Sequence, residues 1–99
     1  METREEILKF LRANRELLKN EFHITKIGLF GSFARDEQTA QSDIDLIIEL
    51  DAPDTDVHLL KNSIREFIAS RCNREINLAR EKYMRPYARD VILKEAIFV

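Results

Sequence analysis

The sequence is poor in the residues that crosslink or interrupt a chain. Its 99 residues include one cysteine, two glycines and two prolines, and no tryptophan. A lone cysteine excludes an internal disulfide and is typical of a reducing compartment; we expect Cys72 to be a small buried or half-buried residue rather than a nucleophile. No run approaches the roughly 20 apolar residues of a membrane span. The first ten residues are charged and lack an apolar signal region, so we expect no export and a cytoplasmic location.

Neither sign of charge dominates the composition. The formal net charge is -2, with 44% hydrophobic and 34% charged residues, as in soluble globular proteins. Such a balance argues against a general nucleic-acid binder, which normally carries a basic excess. The length predicts one domain over residues 1–99, with a single modest core.

Hydrophobic periodicity and turn residues predict alternating helices and strands. We expect helices over residues 4–20, 32–35 and 56–70 and from Pro86 to about Glu95, and strands over 26–30, 43–49 and 75–78. Thr3 and Glu6 have the form of a capping box for the first helix. Residues 36–41 are expected to form a loop, residues 51–54 a turn, and residues 96–99 an apolar tail that packs rather than floats free. This order predicts an α/β (α+β) fold, a small mixed sheet against helices.

The segment GSFARDEQTAQSDID, residues 31–45, carries the strongest functional pattern. Gly31 and Ser32 form a turn after an apolar run, and these residue types allow close backbone approach to phosphate oxygens. Asp43 and Asp45 alternate in a strand, so their carboxylates point to one face with Cα atoms roughly 7 Å apart. The two carboxylates can therefore coordinate one hard cation together or bind two cations between them. The pattern predicts a magnesium–nucleotide site; the plainer alternative is a Gly-Ser turn with aspartates flanking a strand, although aspartate is disfavoured inside strands.

This arrangement resembles the nucleotidyltransferase superfamily built on the DNA polymerase β palm. In length and C-terminal pattern the chain is similar to the minimal nucleotidyltransferases (MNT), the antitoxin halves of HEPN/MNT toxin–antitoxin pairs. The resemblance implies the palm-like fold, phosphate binding at Gly31 and Ser32, and two Mg²⁺ ions on Asp43 and Asp45. It also implies transfer of AMP from ATP to a tyrosine of a HEPN ribonuclease toxin.

The third carboxylate of that family is replaced in this chain. Where the family has a pattern of Val-Asp-Leu type, this chain has Ile-Asn-Leu, with Asn77 in the place of the aspartate. An asparagine oxygen can coordinate magnesium, but it is uncharged and cannot accept a proton. Glu75 shares the strand face and either substitutes for the missing acid or is a solvated strand end. Arg35 either helps to bind phosphate or forms an ion pair with Asp36, Glu37 or another acid.

Three functions are compatible with these residues. The first is a magnesium-dependent adenylyltransferase of a HEPN toxin. The second is a catalytically weakened, nucleotide-binding antitoxin that neutralises its toxin by direct binding. The third is an unrelated interaction module with a fortuitous motif. The first two functions require a nucleoside triphosphate and a toxin protein as partners, and neither involves a membrane. Whether the chain forms a homo- or hetero-oligomer stays open.

Overall fold

The computed structural model describes residues 1–51 and 56–99. The predicted turn at 51–54 therefore lies outside the described residues beyond Asp51. Across the described ranges, no helix combines the length and apolar character needed to cross a membrane. The elements in chain order are α1 (Arg4–Ala13), α2 (Arg15–Phe22), β1 (Ile24–Phe30), α3 (Gly31–Ala34), β2 (Ile44–Leu50), α4 (Val57–Cys72), β3 (Ile76–Arg80), a 3-10 turn (Glu81–Tyr83), α5 (Pro86–Glu95) and β4 (Ile97–Phe98).

The four strands of the described residues form one mixed sheet in the order β3-β2-β1-β4. Strand β1 pairs antiparallel with both β2 and β4, whereas β2 and β3 run parallel. Parallel neighbours need a crossover connection, and α4 lies in the segment that joins them. The predicted fold class, a small mixed sheet packed against helices, is confirmed.

The hydrophobic core covers one face of this sheet. Side chains at alternate positions of β1 and β2 are almost fully buried there, because successive residues of a strand face opposite sides. They form a single cluster with apolar residues of the helices; its members include Ile7, Leu11, Leu18, Ile27, Leu29, Phe33, Ile44, Leu46, Ile48, Ile64 and Ile68. The opposite face carries Asp45 and Asn77, together with Ile47, which is also buried.

The first helical segment is interrupted at Asn14. Its backbone (φ -107°, ψ 12°) leaves the helical range, and its Nδ2 donates to the carbonyl of Phe10 at 2.9 Å. Asparagine competes for local backbone groups in this way, which ends helices. The single helix predicted over residues 4–20 is therefore wrong. The predicted cap is present, since Glu6 N donates to Thr3 Oγ1 at 3.1 Å.

The C-terminal tail forms the fourth strand, which the sequence patterns did not predict as a strand. Ile97 and Phe98 pair with Leu29 and Gly28 of β1. Gly28 leaves room for this approach, because a Cβ there would lie 2.7 Å from the Phe98 ring. The expectation that the tail packs is confirmed. The other predicted elements are present with ends displaced by one or two residues, and α5 has the predicted bounds.

Candidate active site

The predicted site residues come from three neighbouring strands at one level of the sheet. Phe30, the last residue of β1, pairs with Asp45 of β2, and Asp45 pairs with Asn77 of β3. Gly31 follows Phe30 directly, so the Gly-Ser turn begins beside Asp45. Asp43 lies immediately before β2. Sheet register alone thus brings the turn, the two aspartates and the asparagine together.

The side chain of Asn77 connects the two carboxylates. Its Nδ2 donates to Asp45 Oδ1 at 2.9 Å and to Asp43 Oδ2 at 3.3 Å. Because one amide group reaches both acids, the carboxylates converge on a shared point rather than diverge. Asp43 and Asn77 are exposed and Asp45 is half-buried. A cation or a substrate group can therefore approach the pair from solvent.

Gly31 is packed directly against Asp45. It has φ +76°, in the left-handed region where side chains are strained. A Cβ at this position would collide with Asp45 Oδ2 and lie 3.0 Å from Asp45 Cγ. The one-turn helix α3 starts here, with Ser32 half-buried as its second residue. Glycine is thus required both by the backbone and by the adjacent carboxylate.

Arg35 forms ion pairs in this structure. Its Nε donates to Glu37 Oε1 and its Nη1 to Glu95 Oε2, each at 2.8 Å. The hydrogen bond that Arg35 donates to Glu37 and the charge of Glu95 raise the pKa of Arg35 above its ordinary value. Of the two predicted roles for Arg35, the structure shows the ion pair, with Glu95 as an unexpected partner.

Glu75 does not lie with the carboxylate pair. Its side chain is exposed and borders a cavity lined by Arg65, Glu66 and Ala69, while its carbonyl accepts from Ile44 N at 2.9 Å. It precedes β3 rather than forming its first residue. Asn77, and not Glu75, occupies the position beside the aspartates.

Arg74 is a structural residue of the site that the sequence did not single out. Its side chain is 6% exposed, and its Nη1 donates to the carbonyls of Ser42 (2.7 Å) and Thr39 (3.2 Å). The guanidinium also lies over the Phe33 ring, 5.0 Å from its centroid. Arg74 therefore fastens the loop that leads into Asp43. Nothing in its sequence context distinguishes it from the other arginines of the last third.

The donor set suits a hard divalent cation. Two carboxylates converge on one point, and rotation of the Asn77 amide would present a neutral oxygen to that point. Oxygen donors of this kind are those that magnesium binds. Among residues 1–51 and 56–99, no three His, Cys, Asp or Glu side chains gather around a possible metal position. The protein oxygens alone would leave a bound magnesium ion with places for other oxygen ligands.

The fold is shared with solved structures of known class. A structure described as "Structure of putative minimal nucleotidyltransferase" aligns with a TM-score of 0.72 and 28% identity, covering 91% of this chain and 93% of the other. A second, "Crystal structure of the toxin-antitoxin with AMP-PNP", aligns with a TM-score of 0.66 and 21% identity, covering 96% of this chain and 70% of that chain. The sheet and its helices thus have the fold of the minimal nucleotidyltransferases.

Sequence comparison gives the family. A model of the nucleotidyltransferase domain matches residues 6–99. "Putative protein adenylyltransferase MJ1379" of Methanocaldococcus jannaschii is 32% identical over 100 residues, covering all of both chains. "Protein adenylyltransferase MntA" of Thermococcus cleftensis is 24% identical over 99 residues, covering 100% of this chain and 98% of the other. The chain belongs to the nucleotidyltransferase domain family, and the predicted enzyme class, a nucleotidyltransferase, is confirmed.

Proposed function

We propose that this chain is a magnesium-dependent protein adenylyltransferase that acts as an antitoxin, transferring AMP from ATP to a tyrosine of a cognate HEPN ribonuclease toxin. The observation that carries the proposal is the convergence of Asp43 and Asp45 beside a glycine turn that a side chain would block. The names of the relatives, protein adenylyltransferases, support the reaction. The neighbour described as a toxin–antitoxin with AMP-PNP supports the nucleotide and the type of partner.

Each site residue has a place in this reaction. Gly31 and Ser32 hold the β- and γ-phosphates, since the turn allows close approach of the nucleotide to the backbone. Asp43 and Asp45 would hold two magnesium ions, and Asn77 would offer its amide oxygen. Magnesium supplies positive charge that neutralises the triphosphate and favours ionisation of the acceptor hydroxyl. These residues would supply only part of the ligand set of a magnesium ion, so metal and nucleotide would bind together.

The transfer replaces a phosphoanhydride bond of ATP with a phosphate ester bond to the tyrosine. A bond forms between the tyrosine oxygen and the α-phosphorus, the bond from that phosphorus to pyrophosphate breaks, and the hydroxyl proton passes to water. Positioning and charge stabilisation supply most of the catalysis in such reactions. The exposed side of Asp43 is where an acceptor side chain can enter.

The proposal is tested with ATP, magnesium and a HEPN-type protein whose gene lies beside that of this chain. We expect pyrophosphate release and a mass gain of one AMP on a toxin tyrosine. The D43A/D45A double variant should give neither, whereas D90A, which removes an exposed acid on α5, should leave both unchanged. Absence of transfer to a toxin that binds the unmodified protein would refute the proposal.

A second candidate function is neutralisation by contact. The observation that favours it is Asn77, whose amide donates to both aspartates at the place of the family's third carboxylate. An asparagine cannot take up the proton of the acceptor hydroxyl, and it binds a metal ion more weakly than a carboxylate. Under this function, the D43A/D45A variant should still inhibit the toxin's ribonuclease. Loss of inhibition in a folded double variant would exclude it.

A further inference from the structure

Glu95 holds both ends of the short helix that carries the phosphate-binding turn. A single oxygen, Oε2, accepts from Gly31 N and from Arg35 Nη1, each at 2.8 Å. Gly31 is the first residue of α3, and Arg35 is its C-cap. The Glu95 side chain is 20% exposed, whereas the Arg35 side chain is 47% exposed, so the contact is screened from water on the Glu95 side and open on the Arg35 side. One carboxylate therefore spans the element that contains Ser32.

Helix α3 needs such a support. A four-residue helix has almost no stability of its own, because nucleation fixes several residues for one hydrogen bond. The N–H of its first residue has no partner inside the helix. Glycine is also the residue type with the widest choice of backbone conformations, so fixing Gly31 has a high entropic cost. Within residues 1–51 and 56–99, Glu95 is the one group seen to accept a hydrogen bond from the Gly31 N–H.

Glu95 is itself held in place by the sheet. It is the last residue of α5, and β4 begins two residues later. Ile97 and Phe98 are registered against Leu29 and Gly28, immediately before the turn that Glu95 contacts. The carboxylate and the turn are thus anchored to the same strand, β1. This geometry gives the contact little freedom to shift.

We propose that Glu95 is a positioning residue for nucleotide binding, acting through Gly31 and Arg35 to set the conformation of the turn; this rests on the phosphate-binding role proposed above for Gly31 and Ser32. The negative charge of Glu95 is compensated within the contact, because Arg35 pairs with it. An incoming triphosphate therefore meets a turn of fixed conformation and a Glu95 carboxylate that is already paired with Arg35, rather than an unpaired carboxylate.

The test compares E95A and E95D with the conservative variant E95Q and the control E37Q. E95D keeps the negative charge on a side chain that is one methylene shorter. E95Q keeps a side chain of the original length with an oxygen that can accept a hydrogen bond, but without the charge. E37Q weakens only the exposed pair of Arg35. Two readouts are needed: hydrogen exchange of the Gly31 amide by NMR without nucleotide, and calorimetric binding of a non-hydrolysable ATP analogue with magnesium.

We expect faster exchange of the Gly31 amide in E95A and E95D, with nucleotide affinity lowered about tenfold, the scale of one lost hydrogen bond to the turn. In transfer assays, KM for ATP should rise more than kcat falls. E95Q and E37Q should stay within about threefold of the unmodified protein in affinity. If E95A does not fold, E95D provides the same test.

Two results separate failure of this inference from failure of the proposed function. If Gly31 loses its protection in E95D but nucleotide affinity is unchanged or higher, Glu95 does not position the turn for nucleotide. If the unmodified protein binds no nucleotide with magnesium, the proposed function fails and the role of Glu95 fails with it. In that case the exchange data still report whether Glu95 orders the turn.

Discussion

Replacing Gly31 with alanine should damage the site more than the fold. The new methyl group would stand in the left-handed region, at φ +76°, which costs roughly 1–2 kcal/mol for a residue with a Cβ. It would also collide with Asp45 Oδ2, so that carboxylate must rotate away and lose its 2.9 Å bond from Asn77. That bond is exposed and contributes about 1 kcal/mol.

We therefore expect G31A to lower the free energy of unfolding by about 2–3 kcal/mol, or Tm by about 10–20 °C for a chain of this size. The effect on transfer should be larger. A displacement of about 1 Å at a reacting centre can cost a hundredfold in rate, and Asp45 must move by a similar amount. Thermal unfolding followed by circular dichroism gives the first quantity. AMP transfer at a temperature where the variant is folded gives the second.

Gly28 provides the matched control, because it lies three residues earlier in β1. Its Cβ would meet the Phe98 ring at 2.7 Å and no site carboxylate. Phe98 is 36% exposed on a two-residue edge strand, so it can yield. G28A should lose stability and, because Phe98 belongs to the strand that anchors Glu95, some transfer activity, but much less activity than G31A loses. If G31A were as active as G28A at equal fractions folded, the proposed contact between the turn and Asp45 would be irrelevant to catalysis.

Three further predictions concern the site and its support. N77D should have a lower Tm in EDTA, because three neighbouring carboxylates repel one another. Adding Mg²⁺ should restore the Tm of N77D, and transfer should be faster than in the unmodified protein. A response to Mg²⁺ equal to that of the unmodified protein would contradict this. R74M should reduce the free energy of unfolding in urea by about 2–4 kcal/mol, because several carbonyls lose their donor, whereas R71M at an exposed position should cost much less. Burial raises the pKa of the Cys72 thiol, so the unfolded chain ionises first and stability falls as pH rises above about 8.5. C72A should flatten that fall between pH 8 and 10, and an equally steep fall would refute the assignment.

Local patterns in the sequence predict the relative placement of the candidate site residues that lie within one segment. Asp43 and Asp45 were predicted on one face from the period of a strand, and both contact the same amide. The Gly-Ser turn was predicted from residue type, and the structure places it beside Asp45. These relations depend on backbone geometry over a few residues, which a sequence displays directly.

The long-range contacts were not predictable in the same way. Glu95 is 64 positions from Gly31, and its role depends on where α5 ends relative to β1. Arg74 became a buried anchor because the loop over 39–42 folds onto it. The break at Asn14 reflects a competition between side chain and helix whose outcome tertiary packing decides. In each case the determining partner is distant or the alternatives are close in energy.

The pairing of Phe30, Asp45 and Asn77 across three strands has a consequence for how this sequence can vary in length. Deleting Ile44, the residue of β2 ahead of Asp45, would turn that acid toward the core and put Leu46 in its place on the opposite face, since side chains alternate. Exchanges among Ile, Leu and Val at Leu46 or Ile48 should be tolerated far better than any such deletion. Homologous chains should accordingly accept length changes in the connections, while β2 and β3 keep a constant number of residues.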